Sequence, residues 1–195
     1  MPEIIVPQFF LNLEDGHWWE FKDTAVGAPA RVECQATGST LTLRIKIGNQ
    51  VAEQVIEARD VTDEQTGQQL RQYAFIESRR VDQNQTVKWA NGGLTLPSKW
   101  TVGETVSGIS QPGANPATGN AVKATATLVS LGQLKRPAPP LYGIEIKQTI
   151  TDVSLGNVIA SAEMYFAGSR GIVYAKGQTF GVFFILEPTR WYGQP

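Results

Sequence analysis

Hydrophobic and polar positions alternate with a period of two along most of this chain. Leu41, Leu43, Ile45 and Ile47 alternate with Thr42, Arg44 and Lys46, while Ile144, Ile146 and Ile150 alternate with Glu145, Lys147 and Thr149. A period of two sends successive side chains to opposite faces of a sheet. These runs therefore predict half-buried antiparallel strands, apolar toward a core and polar toward solvent. The Thr- and Ala-rich run from Val122 to Leu131 predicts one long strand, and further strands are expected near 17–22, 30–35, 51–58, 70–77, 86–89, 104–109, 158–166 and 171–175. The run Phe180 to Leu186 is apolar on both faces, which suits a central strand or a strand with one face covered by a partner.

Helical periodicity is scarce. The stretch from Asp60 to Gln65 predicts a single capped turn, ended by Gly67. Turn residues fall between the alternating runs: Gly48-Asn49, Asn91-Gly92-Gly93 and Leu155-Gly156-Asn157 each predict a hairpin turn. Two longer connections stand out. Ser110 to Asn120, with Pro112, Gly113, Pro116 and Gly119, reads as an exposed, flexible loop. Gly132 to Pro140, with Pro137-Ala138-Pro139-Pro140, reads as a stiff connector and a soft division within a single β domain spanning 1–195. Either connection can serve as a partner-contact element or as a plain link between strands. No strong internal repeat is apparent. The expected fold is all-β: about ten to thirteen antiparallel strands in a large curved antiparallel sheet, sandwich or half-barrel.

Composition narrows the function classes. Charged residues make up 18% of the chain, below the usual quarter, and Thr, Gln, Asn, Ser and Gly supply the polarity instead. Such a surface suits either an ordinary β protein or a subunit packed against partners. The net charge of −1 predicts no broad attraction to nucleic acid or to an anionic membrane. The N-terminal stretch lacks the basic, apolar and small-residue segments of a secretion signal, so synthesis and retention in a cytoplasm is the expectation, with incorporation into a particle left open. No run approaches the roughly 18 apolar residues of a membrane helix, so no membrane insertion is expected.

One histidine, His17, and one cysteine, Cys34, occur in 195 residues. A triad would have to use His17, whose nearest acid, Asp15, is too close in sequence to orient it, and no Gly-x-Ser-x-Gly elbow is present. One His and one Cys cannot supply the ligands of a zinc site, and Asp60, Asp63 and Glu64 do not follow a calcium-loop spacing. No phosphate loop or dinucleotide fingerprint occurs. No cofactor, metal site or catalytic residue is expected. A hydrolase built on dispersed carboxylates is the remaining enzymatic reading. Cys34, in the run Arg31 to Gln35, is expected to be a small buried hydrophobe.

Aromatic residues are often adjacent: Trp18-Trp19, Tyr165-Phe166, Phe183-Phe184 and Trp191-Tyr192. On a strand, one of each pair must leave the main core and lie under a loop or in a contact patch. Trp18, Trp19, Trp100, Phe183, Trp191 and Tyr192 are accordingly the expected apolar anchors of an interface.

Three stretches resemble bacterial extracytoplasmic β-sheet proteins of unknown function. Asp15 to Phe21 is similar to their opening Gly-x-x-Trp-x-Tyr strand, and Leu96 to Thr105 to the start of their central strand. Tyr165 to Val173 is similar to their late Tyr-x-Ala-x-Gly-x-Gly-x-Val hairpin. The resemblance implies a large curved antiparallel sheet and no catalytic residues.

Together these features point to a non-enzymatic structural or assembly protein, most concretely a phage virion or tail subunit. It would contact protein partners, through self-assembly or other subunits, without nucleic acid. The alternative is a ligand-binding β module of an extracytoplasmic type, taking a small apolar or sugar ligand on its curved sheet.

Overall fold

A computed structural model describes residues 3–136, 141–168, 170–179 and 182–192. The alternating runs form antiparallel strands. The first half contains β1 (Ile4–Ile5), β2 (Trp18–Asp23), β3 (Ala28–Thr37), β4 (Thr40–Ile47), β5 (Gln50–Thr62), β6 (Gln69–Arg80), β7 (Gln85–Lys88) and β8 (Leu94–Leu96). The second half contains β9 (Trp100–Thr101), β10 (Thr105–Ile109), β11 (Val122–Gln133), β12 (Tyr142–Asp152), β13 (Val158–Ala167), β14 (Gly171–Thr179) and β15 (Val182–Trp191). One short helix, α1 (Gln8–Leu11), precedes β2.

Thirteen strands form one sheet in the order β10-β11-β12-β13-β14-β15-β2-β3-β4-β5-β6-β7, with β8 also pairing with β6. Nearly every strand pairs with its sequence neighbour. One exception joins the halves: β15 pairs with β2, Trp191 opposite Trp19 and Leu186 opposite Asp23. The sheet is not closed into a barrel. It curls until its edges touch, and a single bridge links Trp89 to Ser110. Ala90 N–H donates to Ile109 O at 2.8 Å and Gln111 N–H to Lys88 O at 2.9 Å on either side of it.

The core fills the inside of this curl. Trp19, Phe21, Val32, Cys34, Leu41, Leu43, Ile56, Tyr73, Leu128, Ile144, Ile146 and Phe166 are buried together, reaching in from strands all round the sheet. Burying a large apolar side chain of this kind contributes about 1.5–3 kcal/mol. The segment before β2 plugs one end: Ile5, Leu11 and Leu13 are buried there, and β1 pairs with β9 so that Ile5 lies opposite Trp100. A second, smaller cluster lies on the outer face. Tyr165, Val173, Tyr174 and Leu134 pack together, with the Tyr165 and Tyr174 rings stacked at 5.2 Å.

Several sequence expectations are corrected. Asp60 to Thr62 continue β5 and do not start a helix, because they pair with Gln69 to Arg71 of β6. Asn91 to Gly93 do not join a hairpin: β7 and β8 both pair with β6, end to end along it. The loop after Ser110 is exposed over most of its length, as expected, and is tethered where Ala114 and Asn115 are only 6% and 4% exposed. Gly132 and Gln133, expected to begin the connector, belong to β11 and pair directly with β12, Gln133 opposite Tyr142. Pro137 to Pro140 themselves lie outside the described residues, as do Phe180, Gly181, Ser169 and the tail after Tyr192.

A repeat does exist, at the scale of turns. Asp23, Asp63, Asn115 and Asp152 each begin an Asp/Asn-x-x-x-Gly turn. The side-chain Oδ1 accepts from the N–H two residues on: from Ala25 at 2.9 Å, Gln65 at 3.3 Å, Ala117 at 3.0 Å and Ser154 at 2.9 Å. The carbonyl accepts from the glycine N–H at 2.7, 2.7, 2.8 and 2.9 Å in the same order. The closing residue sits at φ between 70° and 73° in all four, a conformation glycine adopts without a Cβ clash.

Candidate functional site

Strand direction sorts the turns into two ends. The strands β2, β4, β6, β10, β12 and β14 all run toward the same end, because each neighbour in the sheet is antiparallel and β15 meets β2 antiparallel. That end carries the turns after Asp23, Ile47, Arg80, Ile109, Asp152 and Thr179. The other end carries the plug before β2, the β3–β4 and β5–β6 turns, and the connectors after Gln133 and Ala167.

The two ends differ in chemistry. Residues 24–30, 47–52, 109–122, 153–162 and 177–186 contain no Asp, Glu, Lys or Arg. The remaining turn at that end carries Arg80 and Asp82, which pair with each other at 3.2 Å. Asp23 and Asp152 open two of these turns, but they are 1% and 0% exposed and are held by donors of their own turns and of neighbouring segments. Among the described residues, seven of the eleven exposed large hydrophobics stand at this end: Val26, Val81, Ile109, Val153, Leu155, Val158 and Phe183. Leu155 is 64% exposed and Phe183 52%. Exposed Lys22, Lys46 and Lys123 stand on the strands beside these turns, opposite Pro29, Val51 and Ile109. Scattered surface hydrophobics are ordinary, whereas apolar tips concentrated on charge-free turns mark a contact surface.

Asp152 holds this end in shape. Its Oδ2 accepts from Asn115 Nδ2 at 2.7 Å and Thr118 Oγ1 at 2.8 Å, while Asn120 Nδ2 reaches Oδ1 at 3.1 Å. Ser154 and Leu155 N–H groups donate to Oδ1 at 2.9 Å. Burial pushes the carboxyl pKa up, but the donors from Leu155, Thr118, Asn115 and Asn120 outweigh it and leave it at about 2. One buried carboxylate thus fastens the 110–121 loop to the β12–β13 turn.

The opposite end is charged. A cleft of about 550 Å³ there is lined by Glu14, Asp15, Asp60 and Arg71 together with Leu13, Ser39 and Leu41. Its polar groups already have partners: Asp15 Oδ1 accepts from Ala36 N–H at 2.8 Å, and Arg71 pairs with Asp60 at 3.2 Å. The outer wall is also charged, with alternating signs across the strands. Arg31 meets Glu20 and Glu33 at 2.6 Å, Glu53 lies between Arg44 at 3.8 Å and Arg79 at 3.4 Å, and Lys176 meets Glu163 at 2.8 Å. Exposed pairs of this kind contribute little stability and mark a solvated wall.

The six expected anchors divide. Trp19 and Trp100 are 1% and 0% exposed and belong to the core, so they face no neighbour. Trp19 Nε1 donates to the Arg170 carbonyl and Trp100 Nε1 to the Glu104 carbonyl. Trp191 and Tyr192 pack against the same core and close the β15–β2 seam. Tyr192 stacks on His17 at 3.6 Å and accepts from Asn12 Nδ2, while His17 Nδ1 donates to the Asn12 carbonyl at 2.9 Å. Trp18 lies on the outer wall, with the Arg31 guanidinium 4.9 Å and the Arg190 guanidinium 5.9 Å from its ring centre. Phe183 alone of the six stands on the apolar end. The other residues of that end escaped sequence reasoning because they are single aliphatic residues in separate turns. The signal available was the run of charge-free turns.

Among the described residues no group of His, Cys, Asp and Glu is arranged to hold a metal ion, and no helix is long and apolar enough to cross a membrane. No family model, curated protein or solved structure matches the chain.

Proposed function

We propose that this protein is a non-enzymatic structural or assembly subunit, most concretely a component of a phage virion or tail, joined to its neighbours by apolar side chains. One observation carries the reading: among the described residues, seven of the eleven exposed large hydrophobics stand on the turns of one end, which bear almost no charge. The filled interior supports it, since Trp19, Trp100, Ile56, Leu128 and Ile144 occupy the space where a hollow sheet would hold a ligand. The test is the solution mass of the purified chain, by size-exclusion chromatography with light scattering. A mass above 21.3 kDa that rises with concentration is expected. A concentration-independent monomer that binds small molecules would count against it.

The second reading is a ligand-binding module. The cleft lined by Glu14, Asp15, Asp60 and Arg71 is the feature in its favour. Its lining suits a polar ligand better than an apolar one, and its carboxylates are engaged within the chain.

A further inference from the structure

We infer that Asn91 is a site of spontaneous isomerisation, at which loss of ammonia lengthens the backbone by one atom and loosens the junction between the sheet's edges.

The reaction needs a side-chain amide beside an unhindered main-chain nitrogen. The chain contains one Asn-Gly pair, Asn91-Gly92, and one Asp-Gly pair, Asp15-Gly16. Glycine carries no Cβ to block the approach of its nitrogen to the preceding side chain. The structure treats the two pairs differently. Asp15 Oδ1 accepts from Ala36 N–H at 2.8 Å, and Gly16 N–H donates to the Cys34 carbonyl at 3.0 Å, so both reacting groups are occupied. Asn91 is exposed, and among the described residues neither its side chain nor the Gly92 N–H has a hydrogen-bond partner. A Cβ on Gly92 would meet nothing within 4 Å, so water reaches the pair.

Asn91 and Gly92 are the centre of a tight primed turn, at φ 50° and 84°. Gly93 N–H donates to Ala90 O at 3.0 Å and Thr95 Oγ1 to the Gly92 carbonyl at 3.3 Å. Once these two bonds open, the consecutive glycines let the backbone rotate and the Gly92 nitrogen reaches Asn91 Cγ. A C–N bond forms there and the bond to the side-chain nitrogen breaks. The Gly92 proton passes through solvent to the departing group, so ammonia leaves and a five-membered imide remains. Water then opens the imide. Cleavage at the main-chain carbonyl leaves Gly92 attached through Cγ as isoaspartate, and cleavage at Cγ leaves aspartate. The net exchange is water for ammonia, with no oxidant or reductant.

The turn stands between two contacts of the edge junction. Ala90 N–H, directly before it, donates to Ile109 O at 2.8 Å. Gly93, directly after it, lies so close to Gly108 that a Cβ there would stand 2.7 Å from the Gly93 carbonyl. An added backbone atom between these contacts displaces one of them, and the new carboxylate adds a charge.

The test holds the full chain in mildly alkaline buffer at body temperature, digests it with trypsin and follows the peptide from Trp89 to Lys99, with the same free peptide as reference. The peptide should gain about 1 Da, and an isoaspartyl methyltransferase should label it. The folded chain should react at most roughly 30-fold more slowly than the free peptide, the factor for opening two modest hydrogen bonds. Asn91→Gly keeps a residue suited to positive φ and should leave the peptide mass constant. The isoaspartyl form, separated by anion exchange, should unfold at lower urea than Asn91→Asp, which carries the charge without the added atom. A folded chain that reacts more slowly than this limit, or a gain in mass that persists in Asn91→Gly, overturns the site. An isoaspartyl form that unfolds with Asn91→Asp overturns the link to the edge junction.

Discussion

Gly108 on β10 lies against Gly93 with no room for a β-carbon between them. A Cβ on Gly108 would stand 2.7 Å from the Gly93 carbonyl carbon and oxygen and 2.7 Å from Leu94 N. On its other side Gly93 meets the Phe75 carbonyl, with φ at +75°. Two glycines thus let three stretches of backbone pass at close quarters where the sheet's edges meet. Gly108→Ala should cost about 1–3 kcal/mol, since backbone must move to admit the methyl group. Urea unfolding measures this, and an unchanged midpoint would show that the edges are not so closely packed.

Asp152 should make the 110–121 loop acid-sensitive. Its pKa is lowered in the folded chain, from 3.8 to about 2. Its ionised form therefore stabilises the fold fully above pH about 4, and that contribution fades as pH falls toward about 2. Asp152→Asn should lower the thermal midpoint at neutral pH, flatten the acid limb of the stability curve, and expose the loop to proteolysis. Identical acid unfolding in variant and wild type would contradict the assignment.

Trp191 and Tyr192 should behave as fold residues. Replacing both by Ala removes the ring stacked on His17 and two partners of the core, and a loss of about 2–4 kcal/mol is expected. Tyr192→Phe keeps the stack and loses the bond from Asn12, for a cost of about 1 kcal/mol. Chemical denaturation distinguishes the two. A double variant as stable as the wild type would return the C-terminal aromatics to the surface.

Cys34 should be inert until the chain unfolds. It is 1% exposed, and burial, with the nearby charges of Asp15 and Glu14, pushes its pKa up to about 11. A thiol without thiolate character and without access reacts slowly. A disulfide reagent should label it only in denaturant, and rapid labelling of the native protein would show that the β2–β3 region opens.

The sheet was legible because alternation is a local property. It placed β4 and β12 within a few residues, and adjacent aromatics split as pleat geometry requires, Trp18 to the wall and Trp19 to the core. The helix α1 was not legible, since four residues give no helical period. The Asp/Asn-x-x-x-Gly repeat was hidden because only its first and last residues are fixed by the turn. The apolar end was hidden for a different reason. Val26, Leu155 and Phe183 are far apart in sequence, and only strand direction carries them to one end. Trp100 was expected to anchor an interface because a large aromatic serves a core or an interface equally well, and only the long-range β1–β9 pairing shows its ring to lie in the core.

Amide hydrogen exchange of the full chain, compared between dilute and concentrated samples, tests the proposed assembly most directly. Association through the apolar end predicts slower exchange at high concentration in residues 24–27, 109–121, 153–158 and 182–184, and unchanged exchange at 13–17, 38–39 and 60–71. Concentration-dependent protection confined to the charged end, or none at either end, would contradict it.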